Sequence, residues 1–466
     1  MLWLLLVASF LDSYAQLAHS WSAPSGCYIH IPFCRQRCYY CDFPIKIIGE
    51  RPSTREAATS AYTETLLKEM RAAFQDGVNE PYLKKNNNGG RVLDTVYFGG
   101  GTPSLLRPEQ VQEILSEIDH HVGIDSSTEV TLEMDPGTFD RSIATAFKSV
   151  GINRVSLGVQ SFDDAVLQHC GRAHRSHDAY GALEDLAAVG IDNVSVDLIS
   201  SLPYVTEKLW HDTLHTTLNS GCGHVSVYDL QVEDKTAFGR WYSPGTFPLP
   251  STETSAAMYV QAVDVLTGGG AGPFEHYEVS NYARPGYRSR HNQKYWRCDA
   301  TWGFGMGAAS YVHGERLSRP GSLGEYTDWV DGLEADGGET TAAAAVANAS
   351  AKRYHAALKS ANVNIEQTEE ESEDFHSSTQ VGKFVDDPLE VIMLALRTAD
   401  GLDLSALGSR YGAETVKKVS ESLQEYISKG LVSREEKNDV QTVRLEDPQG
   451  FLVSNDIIAS VFAAFL

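Results

Sequence analysis

Three cysteines near the amino end have the residue type and spacing that most clearly indicate chemistry. Cys34, Cys38 and Cys41 form the pattern C-x-x-x-C-x-x-C directly after a short apolar run and Pro32. Three thiolates on one loop can ligate three irons of a 4Fe-4S cluster and leave the fourth iron without a protein ligand. That iron can bind the amine and carboxylate of S-adenosylmethionine (SAM). The pattern therefore predicts a cluster that passes an electron to bound SAM.

Structural zinc is the main alternative for these cysteines. Zinc takes four ligands and usually draws a second pair from well downstream, whereas Cys170, Cys222 and Cys298 are isolated. A trio of inert buried thiols is a further alternative. Arg35 and Arg37 make it less favourable, because nearby positive charge stabilises the thiolate. We therefore favour the cluster over both alternatives.

Composition limits the class of protein and its partners. The 466 residues, 42% of them hydrophobic, can form two domains with sizeable cores. Acidic residues number 62 against 38 basic ones, which gives a formal charge of −24. Such a field repels a phosphate backbone, so no nucleic-acid partner is expected. Seven cysteines, three of them clustered, do not suit a disulfide framework and indicate a reducing compartment.

Residues 1–26 have the pattern of a targeting or signal-like leader. An apolar run from Leu2 to Leu11 precedes small residues, although the positive segment of a signal peptide is missing. The run is too short to span a bilayer, and no longer one occurs, so no membrane span is expected. We predict an organellar protein, in a plastid or mitochondrion, after removal of the leader. The alternatives are a misassigned start codon and a cytoplasmic location.

Apolar runs rich in β-forming residues alternate with helical patterns after the cysteine loop. The runs cover residues 92–98, 129–134, 154–157, 194–199 and 224–230; the helical patterns include 57–74, 108–120, 141–150 and 176–189. With the opening strand, this order gives six βα units. It predicts an α/β fold, a partial (β/α)6 TIM-like barrel over residues 27–335, with its chemistry at the carboxyl ends of the strands.

Three other segments complete the expected organisation. Residues 84–91 read as a polar inserted loop, and residues 336–387 as an acidic low-complexity insertion. Residues 388–466 show three helical stretches before two short strands near 431–433 and 442–445. That order predicts a smaller C-terminal α+β winged-helix-like domain. The acidic charge favours a packing or lid role for it over DNA binding.

Polar residues follow several of the predicted strands. Residues 99–104 (Gly-Gly-Gly-Thr-Pro-Ser) come after the second strand, where glycines let the backbone approach a ligand. Glu133, Gln160, Arg172 and Asp197 end or follow the next three strands. Each side chain alone is explained by a core or capping role, because burying a polar group without a partner is costly. Together they favour a shared polar ligand at one rim.

These residues, in these contexts, resemble a known family. The matching stretches are 28–34 (Tyr-Ile-His-Ile-Pro-Phe-Cys), 99–104, Glu133 with 135–137 (Asp-Pro-Gly), 158–162 (Gly-Val-Gln-Ser-Phe), 171–172 (Gly-Arg) and 197–198 (Asp-Leu). They resemble the oxygen-independent coproporphyrinogen III oxidase group of the radical SAM superfamily, over most of 27–335 and again over 388–466. The resemblance implies that Cys34, Cys38 and Cys41 hold the cluster. It implies SAM contacts from Tyr28, Tyr40, Gly100, Gly101, Thr102, Glu133, Gln160, Arg172, Asp197 and the backbone near Gln231.

Two branches of that group differ just after the third cysteine. The oxidases carry a further cysteine two positions later, where this chain has Phe43. Cys41-Asp42-Phe43 and the stretches 277–286 and 291–296 instead resemble the HemW-type heme chaperones. In that branch the second stretch is associated with heme, which implies heme contacts from His291 and Tyr295. The alternative for His291 is a structural histidine bonded within a polar loop.

The sequence therefore predicts a heme chaperone dependent on SAM and a 4Fe-4S cluster, which passes heme to recipient hemoproteins. The main alternative is an enzyme, the oxidase that forms protoporphyrinogen IX from coproporphyrinogen III, and a zinc-stabilised scaffold is a third. The resemblance also implies an electron donor such as a flavodoxin or ferredoxin, and homodimerisation is left open. Two departures from the family pattern, Ser200-Ser201 and Ala309, lie near the expected pocket.

Overall fold

The computed structural model describes residues 24–75, 92–270, 272–312, 315–335, 387–437 and 440–465. Three clusters of buried apolar side chains lie within them: one between Cys27 and Val330, one between Ile392 and Val461, and a small one of Val166, Cys170, Leu202 and Phe238. The expected leader, the loop 84–91 and residues 336–386 of the expected insertion lie outside the described residues. None of the described helices is long and apolar enough to cross a membrane.

The first part of the chain alternates strands and helices. In chain order the strands are β1 Gly26–Ile31, β2 Phe33–Cys34, β3 Lys46–Ile47, β4 Thr95–Gly100, β5 Glu129–Met134, β6 Arg154–Gln160, β7 Asn193–Ser200, β8 His224–Asp229, β9 Glu275–Glu278, β10 Asn281–Ala283, β11 Thr301–Phe304, β12 Ala309–Val312 and β13 Glu315–Ser318. The helices are α1 Pro52–Gln75, α2 Pro108–His121, α3 Arg141–Ser149, α4 Asp164–His169, α5 Ser176–Ala188, α6 Glu207–Asn219, α7 Ala237–Trp241, α8 Thr252–Thr267, α9 Arg290–Trp296 and α10 Leu323–Ala335.

The centre of the fold is a run of six parallel strands, hydrogen-bonded in the order β1-β4-β5-β6-β7-β8. Each predicted apolar run falls on one of these strands, so the partial (β/α)6 barrel is confirmed. The apolar faces of the strands pack against the crossover helices, as in α2, where Val111, Ile114 and Ile118 are buried. Side chains on the other face point into the barrel, and many of these are polar. Thr131 lies opposite Arg154, and Ser195 opposite His224.

Five edge strands were not predicted from the sequence. β11, β12 and β13 extend the sheet beyond β1, and β10 and β9 extend it beyond β8, which gives eleven strands. Each has only three or four residues. Alternation over so few residues cannot be distinguished from a loop, so pairing with distant strands decides their conformation.

The C-terminal part has the element order of a winged-helix domain. Its elements are α11 Pro388–Leu396, β14 Leu402–Asp403, α12 Leu404–Tyr411, α13 Ala413–Ser428, β15 Val432–Lys437, β16 Val440–Leu445, α14 Gln449–Leu452 and α15 Ser454–Ala463. The three helices before two strands are confirmed, whereas β14 and the last two helices were not predicted. Two backbone hydrogen bonds join this part to β9 and the residue after it, from Val279 N to Arg397 O and from Ala399 N to Tyr277 O, each 3.0 Å.

Candidate functional site

One cavity at the carboxyl ends of the parallel strands brings most of the predicted site residues together. Its volume is about 460 Å³. The predicted residues that line it are Cys34, Cys38, Cys41, Tyr40, Gly100, Gly101, Thr102, Glu133, Gln160, Arg172, Asp197 and Gln231. Parallel strands end at the same edge of a sheet, so residues more than 150 positions apart meet there.

The cysteine loop is held against the glycine-rich turn after β4. Thr102 Oγ1 donates to Cys34 Sγ at 3.5 Å, and Gly101 N donates to Ile31 O at 2.8 Å. A Cβ on Gly101 would lie 2.7 Å from Phe33 O and 3.0 Å from Cys34 Sγ, so only glycine fits this approach. The close contact fixes where the first thiol sits.

The three thiols fit a cluster whose irons each take one thiolate. Burial raises the pKa of Cys34 to about 12, with the Thr102 hydrogen bond opposing, and burial also raises the pKa of Cys41. These thiols are therefore protonated until a metal replaces the proton. Within the described ranges, no group of three or more His, Cys, Asp or Glu side chains is placed to hold a single metal ion. The thiols lie around a shared cavity instead.

Glu133 is a buried carboxylate on the cavity wall that is held from two sides. Tyr97 Oη donates to its Oε1 at 2.9 Å, and Gly100 N donates to its Oε2 at 3.0 Å. Burial raises its pKa to about 7, with the Tyr97 hydrogen bond opposing and the charge of Asp197 adding to the rise. At neutral pH, Glu133 is therefore present in both its protonated and its ionised form.

Asp197 is a second buried carboxylate on the same wall. It accepts hydrogen bonds from Ser156 Oγ at 2.8 Å and Ser195 Oγ at 2.9 Å. Burial raises its pKa, and these hydroxyls partly oppose the rise. In the part of the chain that the structure describes, neither Asp197 nor Glu133 has an ion pair. The cavity therefore favours a ligand that carries positive charge and hydroxyl donors.

Arg172 lies beneath the cysteine loop and is already paired. Its guanidinium forms an ion pair with Asp135, donates to Gly158 O at 2.7 Å and donates to Cys38 Sγ at 3.4 Å. Burial alone would raise the pKa of Asp135, but Arg172 and His174 hold it below its ordinary value. Arg172 therefore connects the loop to the strand tips β5 and β6.

Tyr28, His291 and Tyr295 are not among the residues that line this cavity. Tyr28 is stacked on Tyr97 inside the barrel, with 6.1 Å between ring centroids. His291 is 1% exposed, its Nδ1 lies 2.8 Å from Thr95 Oγ1, and its Nε2 lies 2.8 Å from Tyr295 Oη. Burial lowers its pKa to about 3. The arrangement favours the structural alternative for His291, because a bond to heme iron would require one of these contacts to break.

Several residues that support the site were not found by sequence reasoning. Tyr97, Ser156 and Asp135 support the predicted carboxylates and Arg172. The available signal was the period of two along the strands, which puts Tyr97 and Ser156 on the inner face with Gly99 and Gly158. Ser200 and Ser201, which depart from the family pattern, also contribute to the site. Their hydroxyls donate to Asp229 Oδ1, at 3.0 and 2.7 Å, and Asp229 lines the cavity.

A partial barrel with a three-cysteine loop at its strand tips defines a radical SAM protein. The family model for the radical SAM superfamily matches residues 28–217, and the model for the HemN C-terminal domain matches residues 386–438. The solved coproporphyrinogen III oxidase (HemN) of Escherichia coli matches with a TM-score of 0.69 and 17% identity, over 97% of this chain and 93% of that chain. At this identity the likeness concerns the fold alone.

Curated relatives narrow the class. "Heme chaperone HemW" of Synechocystis is 44% identical over 308 residues, which are 66% of this chain and 71% of the relative. The protein of the same name in Bacillus subtilis is 34% identical over 65% of this chain and 75% of its own. The mouse "Radical S-adenosyl methionine domain-containing protein 1, mitochondrial" is 35% identical over 62% of this chain and 60% of its own. The chain belongs to the HemW family.

Proposed function

We propose that this protein is a heme chaperone that binds a 4Fe-4S cluster and SAM and delivers heme to hemoproteins. The observation that supports it most is the single cavity shared by the three thiols and the polar strand-tip residues. The chaperone role is supported by the Synechocystis and Bacillus relatives, both of which are named heme chaperones.

Each part of the site has a role in this proposal. Cys34, Cys38 and Cys41 hold the cluster, which would supply the electron that can cleave SAM. Glu133 accepts from ribose hydroxyls, and Asp197 faces the cationic part of the ligand. Tyr40, Gly100, Gly101, Thr102, Gln160 and the backbone near Gln231 complete the SAM contacts. Arg172 positions the cysteine loop through Cys38 and Asp135.

Anaerobic reconstitution tests the cluster. The wild-type chain should take up iron and sulfide and bind SAM, whereas Cys38→Ser should lose the cluster. Cys222→Ser is a matched control, because this buried thiol belongs to the helix-side core of the barrel. A colourless wild-type protein without iron would contradict the proposal, and zinc without sulfide would support the scaffold alternative.

Heme binding tests the chaperone role. Reconstituted protein should bind hemin, seen as a shifted Soret band, and pass it to an apo-hemoprotein. His291→Gln examines the predicted iron contact, with Tyr295→Phe as its partner. A loss of the band shift in a folded His291 variant would support the iron contact, and unchanged binding would assign the residue to the barrel interior.

The oxidase remains a second candidate because the fold is shared with HemN. Phe43 lines the cavity and is 59% exposed at the position where the oxidase branch carries a cysteine. That residue favours the chaperone. Incubation of the reduced protein with SAM and coproporphyrinogen III should give no protoporphyrinogen IX, and its formation would overturn the chaperone-only function.

The proposal also covers the location of the protein, its electron donor and its oligomeric state. We place it in an organelle, supported by the mitochondrial name of the mouse relative and the cyanobacterial HemW relative. Fusing residues 1–26 to a fluorescent protein tests this, and diffuse cytoplasmic signal would contradict it. A flavodoxin or ferredoxin would supply electrons, which reduction of the cluster by either carrier checks. Sedimentation measures whether a homodimer forms.

A further inference from the structure

Arg154, at the start of β6, is a cation buried inside the barrel. Its side chain is 1% exposed, and its Nε makes no hydrogen bond. Among the residues that the structure describes, no carboxylate lies within ion-pair distance of its guanidinium, and none donates to or accepts from it. Arg319, which is also buried, is by contrast paired with Glu69 at 2.7 Å. Since an unpaired buried charge is costly, the surroundings of Arg154 must balance it in another way.

The strand register places Arg154 next to the carboxylates of the site cavity. Arg154 lies opposite Thr131 on β5, and Ser156 lies opposite Glu133, so Arg154 and Glu133 are diagonal neighbours on the inner face of the barrel. The spacing and rise of strands put the Cα atoms of such neighbours about 8 Å apart, which a long side chain can span. Ser156 Oγ also donates to Asp197 Oδ2 at 2.8 Å. Arg154 therefore lies on the amino-end side of the wall that carries both carboxylates.

Glu129, the other acidic neighbour of Arg154, is directed to a different partner. It is the diagonal neighbour toward the start of β5. Its Oε1 accepts from Arg290 N at 3.0 Å and from His291 N at 3.3 Å, at the start of α9. Glu133 and Asp197 accept only from neutral donors of the described residues. These two carboxylates are therefore the ones left to balance Arg154.

The charge of Arg154 acts on both carboxylates. Burial raises the pKa of Glu133 to about 7, and Arg154 opposes this rise. Burial also raises the pKa of Asp197, with the hydroxyls around it and Arg154 opposing. An arginine does not lose its proton in proteins, so this influence is constant with pH.

The other ionisable groups around the three residues are neutral near pH 7. Burial raises the pKa of each tyrosine and lowers the pKa of each histidine among them, which are Tyr28, Tyr97, Tyr228, Tyr277, Tyr295, His224 and His291. Arg172, at the same rim, is paired with Asp135. Arg154, Glu133 and Asp197 are thus the groups whose charges decide the electrostatics of this wall.

We propose that Arg154 is the internal countercharge of the site, which keeps Glu133 and Asp197 ionised so that they can hold the ribose hydroxyls and positive charge of SAM. This inference rests on the proposed SAM site. Arg154 does not line the cavity, so it is a positioning residue that acts through the two carboxylates. A direct ion pair would occupy their oxygens, whereas a cation one layer away stabilises the anions and leaves those oxygens free for the ligand.

SAM titration of the full-length, cluster-loaded protein at pH 7 and pH 9 tests this role. Arg154→Met removes the charge, and Arg154→Lys keeps it. About half of Glu133 is ionised at pH 7, and a pKa one unit higher would leave about one molecule in eleven ionised. Arg154→Met should therefore bind SAM about fivefold more weakly than wild type at pH 7, and within about twofold of it at pH 9. Arg154→Lys should keep the pH profile of wild type.

Thr131→Val is the matched control. Thr131 is fully buried beside Arg154, its hydroxyl also makes no hydrogen bond, and it carries no charge. This variant should leave the pH profile of SAM binding unchanged. A profile altered as much as that of Arg154→Met would show that packing in this layer, and not charge, determines the affinity.

The outcomes separate this role from the proposed function. If Arg154→Met weakens binding equally at pH 7 and pH 9, or not at all, the countercharge role is overturned. Iron content reports folding. If Arg154→Met takes up no iron, adding Glu133→Gln and Asp197→Asn should restore uptake, because no unbalanced carboxylate then remains; failure of this rescue would also overturn the role. If wild type binds no SAM, the proposed site itself fails.

Discussion

Replacing Glu133 by glutamine should remove a pH dependence from SAM binding. Burial raises the pKa of Glu133 from an ordinary 4.5 to about 7 in the protein without ligand. If SAM requires the anion, affinity is reduced by the fraction of protein that lacks it. About one molecule in eleven carries the anion at pH 6 and about ten in eleven at pH 8, so binding should weaken about tenfold between pH 8 and pH 6.

The assay is anaerobic calorimetric titration of the cluster-loaded protein with SAM at pH 6, 7 and 8. Titration of the ligand's own amine affects wild type and Glu133→Gln alike, so it cancels in the ratio of their dissociation constants. The dissociation constant of Glu133→Gln divided by that of wild type should be largest at pH 8 and should shrink about tenfold by pH 6. A ratio that does not change with pH would refute the assignment of Glu133 as the titrating ligand contact.

The same variant also tests how the protonation of Glu133 affects the stability of the fold. The folded state keeps the proton on Glu133 between about pH 4.5 and 7, whereas the unfolded chain releases it. Stability contributed by this residue is therefore present below pH 4.5 and is lost as pH rises to about 7. Glu133→Gln should remove that loss, which urea unfolding at pH 5 and pH 8 would measure.

Three further predictions concern the support of the site and the core. Tyr97→Phe removes the donor to Glu133 Oε1 and should weaken SAM binding at pH 7 by about tenfold, since hydrogen bonds to charged groups contribute about 1.5–3 kcal/mol; equal affinity would contradict this. Gly101→Ala should lower the iron content after reconstitution, while Gly181→Ala, where a Cβ meets nothing within 4 Å, should not. Glu69→Gln leaves Arg319 buried without its carboxylate and should destabilise the fold by about 3–5 kcal/mol in urea unfolding. Glu117→Gln, at the more exposed pair with Arg71, should cost about 1 kcal/mol or less, and similar losses in both variants would refute the burial argument.

The cysteine loop and the strand-tip residues could be predicted because their signals are local. A thiol spacing, a glycine triplet and the period of two along β5 and β7 are properties of a few consecutive residues. The order of strands and helices then implies which ends meet, since parallel strands share one rim. The cavity at that rim contains every predicted SAM residue except Tyr28.

The partners of those residues were decided by tertiary structure. Arg172 was expected to contact SAM, and its guanidinium pairs with Asp135, 37 positions away, because the α4–α5 connection brings it under the cysteine loop. The sequence around His291 is similar to a heme-associated stretch, but which face of α9 is open depends on the barrel and the C-terminal domain that enclose it. Helical periodicity separates two faces, and only packing determines which of them is buried.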